Sequence, residues 1–292
     1  MSIPKEILVC LKNWLIENKH AEDIEQIQNI GGGSINEAVK ISTSSDSYFL
    51  KYNDAAAHPQ MFFAELKGLE LLSKTSSIRI PKAHYYYEGQ AYSFILLEWM
   101  EQNEKEEFFW EQFAVQLAQL HRASAPQFGL DFDNYMGSLH QSNKYHDSFI
   151  DFFINERLLP QLKIARDTNI LDSTFVKKGE RLFQELPSIF PIEKPALVHG
   201  DLWSGNFMND EKGGPVIMDP AVYFGHREVD IAMTTMFGGF SSDFYGHYQS
   251  CFPMEVGWEK RLDYYNLYPV LVHINLFGAS YLPYYLRTLA PF

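Results

Sequence analysis

Between Val198 and Pro220 the chain reads Val-His-Gly-Asp-Leu-Trp-Ser-Gly-Asn and, after a short gap, Val-Ile-Met-Asp-Pro. Asp201, Asn206 and Asp219 fall within nineteen positions, each set among apolar neighbours. Polar groups in such surroundings are costly unless they find partners. A carboxylate, an amide a short loop later, and a second carboxylate borne by the next strand can turn their oxygens towards one divalent cation. Residues Asp210 to Gly214 read as the tight turn between two short strands that would deliver Asp219. Whatever fold the chain adopts has to make these side chains converge.

The rest of the sequence narrows the class. At 292 residues, 46% of them hydrophobic, the chain can bury one large core or two lobes. A net charge of −13 argues against a nucleic-acid partner, which calls for clustered Lys and Arg. Cys10 and Cys251 offer no disulfide framework and point to a reducing compartment. Residues 1–20 mix apolar side chains with Lys5, Glu6, Lys12 and Glu17 and have no signal-peptide core. Tyr264 to Leu286 carries no formal charge, but Asn266, Pro269, His273, Asn275, Gly278 and Pro283 make it a buried core helix rather than a membrane span. A soluble, cytoplasmic protein with no membrane partner is expected.

Taken in order, residues 5–19 form an amphipathic helix, with Ile7, Leu8, Leu11, Leu15 and Ile16 on one side. Strand-like runs at 24–30, 38–41 and 48–52 follow, the first two separated by Gly31-Gly32-Gly33-Ser34. A helix over 58–73 precedes a hairpin of residues 83–87 and 92–97. The pattern predicts a five-stranded antiparallel lobe with one inserted helix. Periodicity changes at Glu98 to Glu101, so a hinge is placed at 98–103, between a first lobe (1–97) and a larger helical lobe (104–292). Asn103 and Glu106 have capping-box spacing. The fold class is therefore α+β and bilobal.

Each candidate group also has an ordinary explanation. The glycine run lacks the third glycine of G-x-G-x-x-G and by itself reads as a turn. Lys51 alternates with apolar neighbours, as a solvated strand face would. Glu65 lies among Phe62, Phe63, Leu66 and Leu69, where an acid calls for a partner, although Glu70 occupies a similar position. His199 is expected to hold the loop backbone, since neither His226 nor His247 has metal-ligand spacing. Trp203 and Trp258 fit a core equally well, but an indole inside the Asp201 loop can stack on an acceptor. The order of the parts is more specific than any one of them. A glycine loop, a strand Lys, a helix Glu, a hinge, Asp-x4-Asn and a further Asp follow the sequence of parts of protein kinases, with Pro220 in place of Phe-Gly.

The chain resembles the fructosamine (ketosamine-3-) kinases, relatives of the aminoglycoside and choline kinases. The resemblance rests on 31-GGGSINEA-38, 49-FLK-51, Leu120-His121, Phe128-Gly129, 134-NYMG-137 with Gln141 and Asn143, and above all 199-HGDLWSGN-206. Further matches are 218-MDPA-221, 225-GHREVD-230 and 268-YPVLVHINLFG-278, so it spans nearly the whole chain. It implies a protein-kinase-like fold and ATP-dependent phosphorylation of a ketosamine 3-hydroxyl, which serves deglycation because the product is unstable. It also implies roles: Asp201 as base, Asn206 and Asp219 as Mg2+ ligands, and Lys51 as phosphate clamp paired with Glu65. Gly31, Gly32, Gly33 and Ser34 would cover the nucleotide, with Glu98 and Met100 meeting adenine. Acceptor contacts are expected from Trp203, Asn134, Gln141 and Trp258, with segment 134–152 bordering the pocket. Ser148 departs from the tryptophan of many relatives. The acceptor would be a small sugar-amine or a glycated protein lysine, and the protein a monomer. Two alternatives stand beside this: an aminoglycoside- or choline-like phosphotransferase, and an inactive nucleotide-binding regulator, which would lack one of Lys51, Asp201, Asn206 or Asp219.

Overall fold

Helix α1 (Lys5–Lys19) carries Ile7, Leu11 and Leu15 on one stripe, and all three are fully buried. They pack on a five-stranded antiparallel sheet in a computed structural model that describes residues 3–19, 23–31 and 35–292. The sheet comprises β1 (Gln26–Asn29), β2 (Glu37–Ser42) and β3 (Ser47–Asp54), then β4 (Ala83–Glu88) and β5 (Tyr92–Glu98), in the order β1-β2-β3-β5-β4. The inserted helix α2 (Met61–Ser73) lies between β3 and β4.

Alternation along the strands gives the sheet two faces. Tyr48, Leu50 and Tyr52 join Val39, Ile41, Phe94 and Leu96 against α1. On the opposite face, Phe49, Ile95 and Leu97 meet Phe62 and Leu69 of α2. Lys51 points to this second face, opposite Ile95, and is only 5% exposed. A cation in that position needs an anionic partner, and supplying one is what the rest of the fold does.

The second lobe begins with α3 (Phe109–Leu120) and the short hairpin β6 (Asn134–Met136) and β7 (Leu139–Gln141). Helix α4 (Phe149–Phe152) continues through a π-helical turn (Phe153–Leu158) into α5 (Leu159–Asp167) and α6 (Ser173–Ile189). Four short strands follow, paired as β8 (Ala196–Val198) with β11 (Tyr223–Gly225), and β9 (Phe207–Asn209) with β10 (Pro215–Ile217). Helices α7 (Glu228–Met236), α8 (Ser242–Cys251), α9 (Trp258–Tyr265), α10 (Leu267–Phe277) and α11 (Leu282–Thr288) complete it around one large apolar core. None of the helices among the described residues is long and apolar enough to cross a membrane.

Three local expectations are corrected. Helix α2 starts at Met61 rather than at residue 58, because Pro59 precedes a left-handed Gln60 (φ 60°). The Asn103/Glu106 capping box does not form: α3 starts six residues later, and Asn103 instead donates to the Glu211 carbonyl while the Glu106 N–H reaches Gly213. The single helix read over 264–286 is parts of three, interrupted at Asn266 and at Gly278 (φ 84°).

The two lobes also meet away from the covalent connection after β5. The β6–β7 hairpin packs against the first lobe, where the Tyr135 hydroxyl donates to the Pro59 carbonyl at 2.8 Å. The backbone at its tip, Gly137, lies against Ile35 from the end of the glycine loop and against Leu276 of α10.

Candidate active site

The polar residues at the cleft are placed by backbone that the second lobe holds rigidly. At the end of β8, the His199 and Gly200 N–H groups both donate to the Asp230 carboxylate, at 2.7 and 2.9 Å. Asp230 is fully buried on α7 and also meets His121 Nε2 at 3.1 Å, while His121 Nδ1 lies 2.7 Å from the Tyr248 hydroxyl. Gly200 has φ 83°, and a Cβ there would sit 2.1 Å from the Ala221 carbonyl oxygen, so no larger residue fits.

Beyond Gly200 the loop closes on itself. Asn206 Nδ2 donates to the Asp201 carbonyl (2.8 Å) and to Asp201 Oδ2 (2.9 Å). Both partners are acceptors, so the amide orientation is fixed and Oδ1 faces away from them. His199 ties this loop to the next one: Nε2 donates to the Met218 carbonyl (2.9 Å), and Nδ1 accepts from the Asp201 N–H (3.3 Å). The two bonds require the neutral tautomer, and burial holds His199 below the usual imidazole range. The structural role expected for His199 matches this geometry.

Asp219 is bracketed by Met218, whose N–H donates to the Asn206 carbonyl, and by Ala221, whose N–H donates to the His199 carbonyl. It adopts a left-handed φ of 55°, a strained conformation for a residue other than glycine. Its side chain is 45% exposed, and Oδ1 accepts from Lys51 Nζ across the cleft at 2.7 Å. Glu65 Oε1 completes the set at 2.6 Å from the same ammonium, whereas Glu70 pairs with Lys67. The partner that Lys51 needed is thus a pair of carboxylates, one from each lobe.

Electrostatics follow from this arrangement. Burial works against the Lys51 charge, but Asp219 and Glu65 outweigh it and keep Lys51 protonated. Burial raises the Glu65 carboxyl, and Lys51 opposes that rise. Asp201 is pushed up to about 7, chiefly by loss of solvent, with Asp219 and Asp230 adding to the rise and the Asn206 bond opposing it. A carboxyl raised in this way has the proton affinity that general-base chemistry near neutrality calls for.

Asp219 and the outward Asn206 Oδ1 offer oxygen ligands of the kind Mg2+ takes alongside phosphates and water. Among the described residues no group of three or more His, Cys, Asp or Glu forms a metal site by itself. This donor set suits a cation that arrives with a phosphorylated ligand.

Other expected contacts are placed differently. Asn134 and Gln141 are 3% and 1% exposed, and their polar atoms have internal partners. Asn134 donates to the Val222 carbonyl (2.8 Å), and Gln141 donates to Asn134 Oδ1 (2.6 Å) and the Ala221 carbonyl (3.2 Å). Tyr268 donates to Gln141 Oε1 at 2.8 Å. These residues brace the backbone after Asp219, which corrects their assignment as acceptor contacts. Trp258 stacks on Tyr245 (6.3 Å) at the start of α9, again within the helical packing. Trp203 lies in the Asp201 loop, with Phe237 edge-on at 5.5 Å. The Glu98 N–H donates to Lys82, and its carboxylate binds Arg79 and the Lys82 N–H. The Met100 N–H has no hydrogen-bond partner among the described residues. Gly31 is described; Gly32, Gly33 and Ser34 lie outside the described residues. Sequence reasoning passed over Asp230 as a functional group. The available signal was an acid between Val229 and Ile231, which is costly without partners.

Known proteins resemble this chain in sequence and in fold. The chain is 41% identical over 256 residues to an Enterococcus faecium protein provisionally named a ketoamine kinase, covering 86% of this chain and 89% of that one. It is 38% identical over 281 residues to the chloroplastic protein-ribulosamine 3-kinase of Arabidopsis thaliana, covering 93% and 83%. A crystal structure from Haemophilus somnus, provisionally named a fructosamine-3-kinase, superposes with a TM-score of 0.86 at 28% identity over 96% of both chains. A ternary complex of an aminoglycoside phosphotransferase with AMP-PNP and hygromycin B shares the fold at a TM-score of 0.64 and 16% identity, covering 96% of this chain and 98% of that one. The family model for fructosamine kinase matches residues 10–291, nearly the whole length, and this chain belongs to the fructosamine kinase family.

Proposed function

We propose that the chain transfers the γ-phosphoryl group of ATP to the 3-hydroxyl of a ketosamine. Family membership supports the reaction class, and one observation carries the residue roles: Lys51 bridges Glu65 and Asp219 across the cleft, while Asn206 fixes Asp201 beside them. In the reaction the acceptor O–H bond breaks and its proton passes to Asp201. The acceptor oxygen bonds to the γ-phosphorus as the bond to the ADP oxygen breaks. Lys51, kept charged by its two carboxylates, holds the α- and β-phosphates. Bound Mg2+, held by Asn206 Oδ1 and Asp219, would neutralise charge on the phosphates. Residues 98–103 form the hinge between lobes 1–97 and 104–292, with the Met100 N–H and the Glu98 carbonyl meeting adenine.

The acceptor class includes ketosamines on protein lysines, a reading supported by the 38% identity to a protein-ribulosamine 3-kinase. We further propose a monomeric, cytoplasmic enzyme. The aminoglycoside phosphotransferase likeness carries the fold alone. An inactive regulator is disfavoured because Lys51, Asp201, Asn206 and Asp219 are all present.

The test is ADP release with ribulosamines and fructosamines of Nα-acetyl-lysine, alongside aminoglycosides. Turnover is expected with a ketosamine, and Asp201→Asn should lose roughly 10²–10⁴ in kcat while still binding ATP. Normal turnover by that variant would refute the assignment of the base.

A further inference from the structure

Two neighbouring rows of side chains cross the sheet face that carries Lys51. One is Ala38, Lys51 and Ile95, paired across β2, β3 and β5. In the next row Asn53 pairs with Ser93, and the β2–β3 register, continued past Glu37 and Tyr52, sets Asn36 beside Asn53. Asn53 is 7% exposed and Ser93 1%, so their polar atoms have to be satisfied within the protein. The Ser93 hydroxyl donates to Asn53 Oδ1 at 2.7 Å, which leaves the Asn53 NH2 pointing the other way. That NH2 donates to Asn36 Oδ1 at 2.9 Å and meets Met61 Sδ at 3.3 Å. Met61 is the first residue of α2, the helix that bears Glu65. One buried amide therefore joins the end of the glycine loop to the start of the helix whose carboxylate holds Lys51.

The same bond sets the direction of Asn36. Its oxygen is taken by Asn53, so its NH2 faces away, and that NH2 has no partner among the described residues. Asn36 is half-buried, on the face that carries the Lys51 ammonium. A free N–H donor there suits an anionic oxygen, to which its bond is charge-assisted. Without Asn53 the Asn36 amide is free to turn over and offer its oxygen, which a phosphate repels.

We propose that Asn53 is a positioning residue for the phosphate end of the nucleotide: anchored by Ser93, it fixes Asn36 in the orientation that offers an N–H to a phosphate oxygen. Asn53 itself touches no nucleotide. The inference rests on the kinase reading, from which it takes ATP as the ligand, and adds to it a residue outside the glycine loop. Because α2 starts on the same amide, the loop and the Lys51–Glu65 pair keep one spacing across the phosphates.

The experiment is a double-mutant cycle on the full chain, with Kd for ATP and for adenosine measured by calorimetry in Asn36→Ala, Asn53→Ala and the double variant. Each single substitution should weaken ATP about tenfold, and the double variant should be no more than about twofold weaker than either. Adenosine, which has no phosphate, should bind within about twofold of the unmodified chain throughout, and this also shows that each variant is folded. If Asn53→Ala does not fold, Ser93→Ala replaces it in the cycle: it frees the Asn53 amide and should weaken ATP about threefold, but not in the Asn36→Ala background. An unchanged Kd for ATP in Asn36→Ala, additive losses in the cycle, or an equal loss for adenosine would each overturn the anchor and leave the kinase reading intact. An unmodified chain that binds adenosine but gains nothing from the phosphates of ATP would overturn the kinase reading, and the anchor with it.

Discussion

Replacing Asp230 with Asn tests whether a fully buried carboxylate aligns the catalytic loop. Its two oxygens take three N–H donors, from His199 at 2.7 Å, Gly200 at 2.9 Å and His121 at 3.1 Å. An Asn amide has one acceptor oxygen. Its best placement keeps that oxygen on His199 and His121, which turns the amide NH2 towards the Gly200 N–H. One buried donor left unsatisfied costs about 1–3 kcal/mol, and the two remaining bonds lose their charge assistance at about 1 kcal/mol each. A total of about 3–5 kcal/mol corresponds to a fall in Tm of roughly 5–15 °C for a chain of this size. Gly200, unanchored, lets Asp201 drift, and a misplacement of about 1 Å costs about a hundredfold in rate. Thermal unfolding by circular dichroism and initial rates of ADP release read both effects. KM for ATP should change little, since Lys51 and Glu65 belong to the other lobe. A variant with Tm within about 2 °C of the parent and kcat within about threefold would refute the alignment argument.

Two further predictions follow from the same geometry. The Asp201 carboxyl is raised from 3.8 to about 7, so the folded chain binds a proton more tightly than the unfolded chain, and stability is lost as pH rises through that window. Asp201→Asn should therefore stabilise the ligand-free protein by roughly 1–4 kcal/mol at pH about 8 and hardly at all at pH about 4, as read by Tm; no gain at the higher pH would contradict the desolvation argument. Gln141→Leu orphans Asn134 Oδ1 and the Tyr268 hydroxyl and frees the backbone after Asp219; kcat should fall roughly tenfold or more with acceptor KM little changed, whereas a rise in acceptor KM alone would restore Gln141 to the acceptor site.

What could be read beforehand divides by the range of the interaction. Lys51 and Glu65 were recognisable because a charge among apolar neighbours demands a partner, and the sheet and helix patterns that carry them are local. Asp201, Asn206 and the turn before Asp219 are likewise a short-range device. Asn134 and Gln141 were misplaced because their partners, the Ala221 and Val222 carbonyls, lie some eighty residues away, and nothing near them in sequence announces that demand. Asn103 was misread for a similar reason: its amide serves the β9–β10 turn, so it is not free to cap a helix. The divided helices at 258–288 reflect apolar content so high that periodicity alone does not reveal the breaks at Asn266 and Gly278.

The Tyr135 to Pro59 bond ties the lobes together away from their covalent connection, and Ile35 against Gly137 adds a second tie there. A jaw held at both corners does not gape; it opens by shear, or only after one corner lets go. Any separation of the lobes therefore loads a hairpin whose far strand, through Gln141, steadies the backbone just after Asp219.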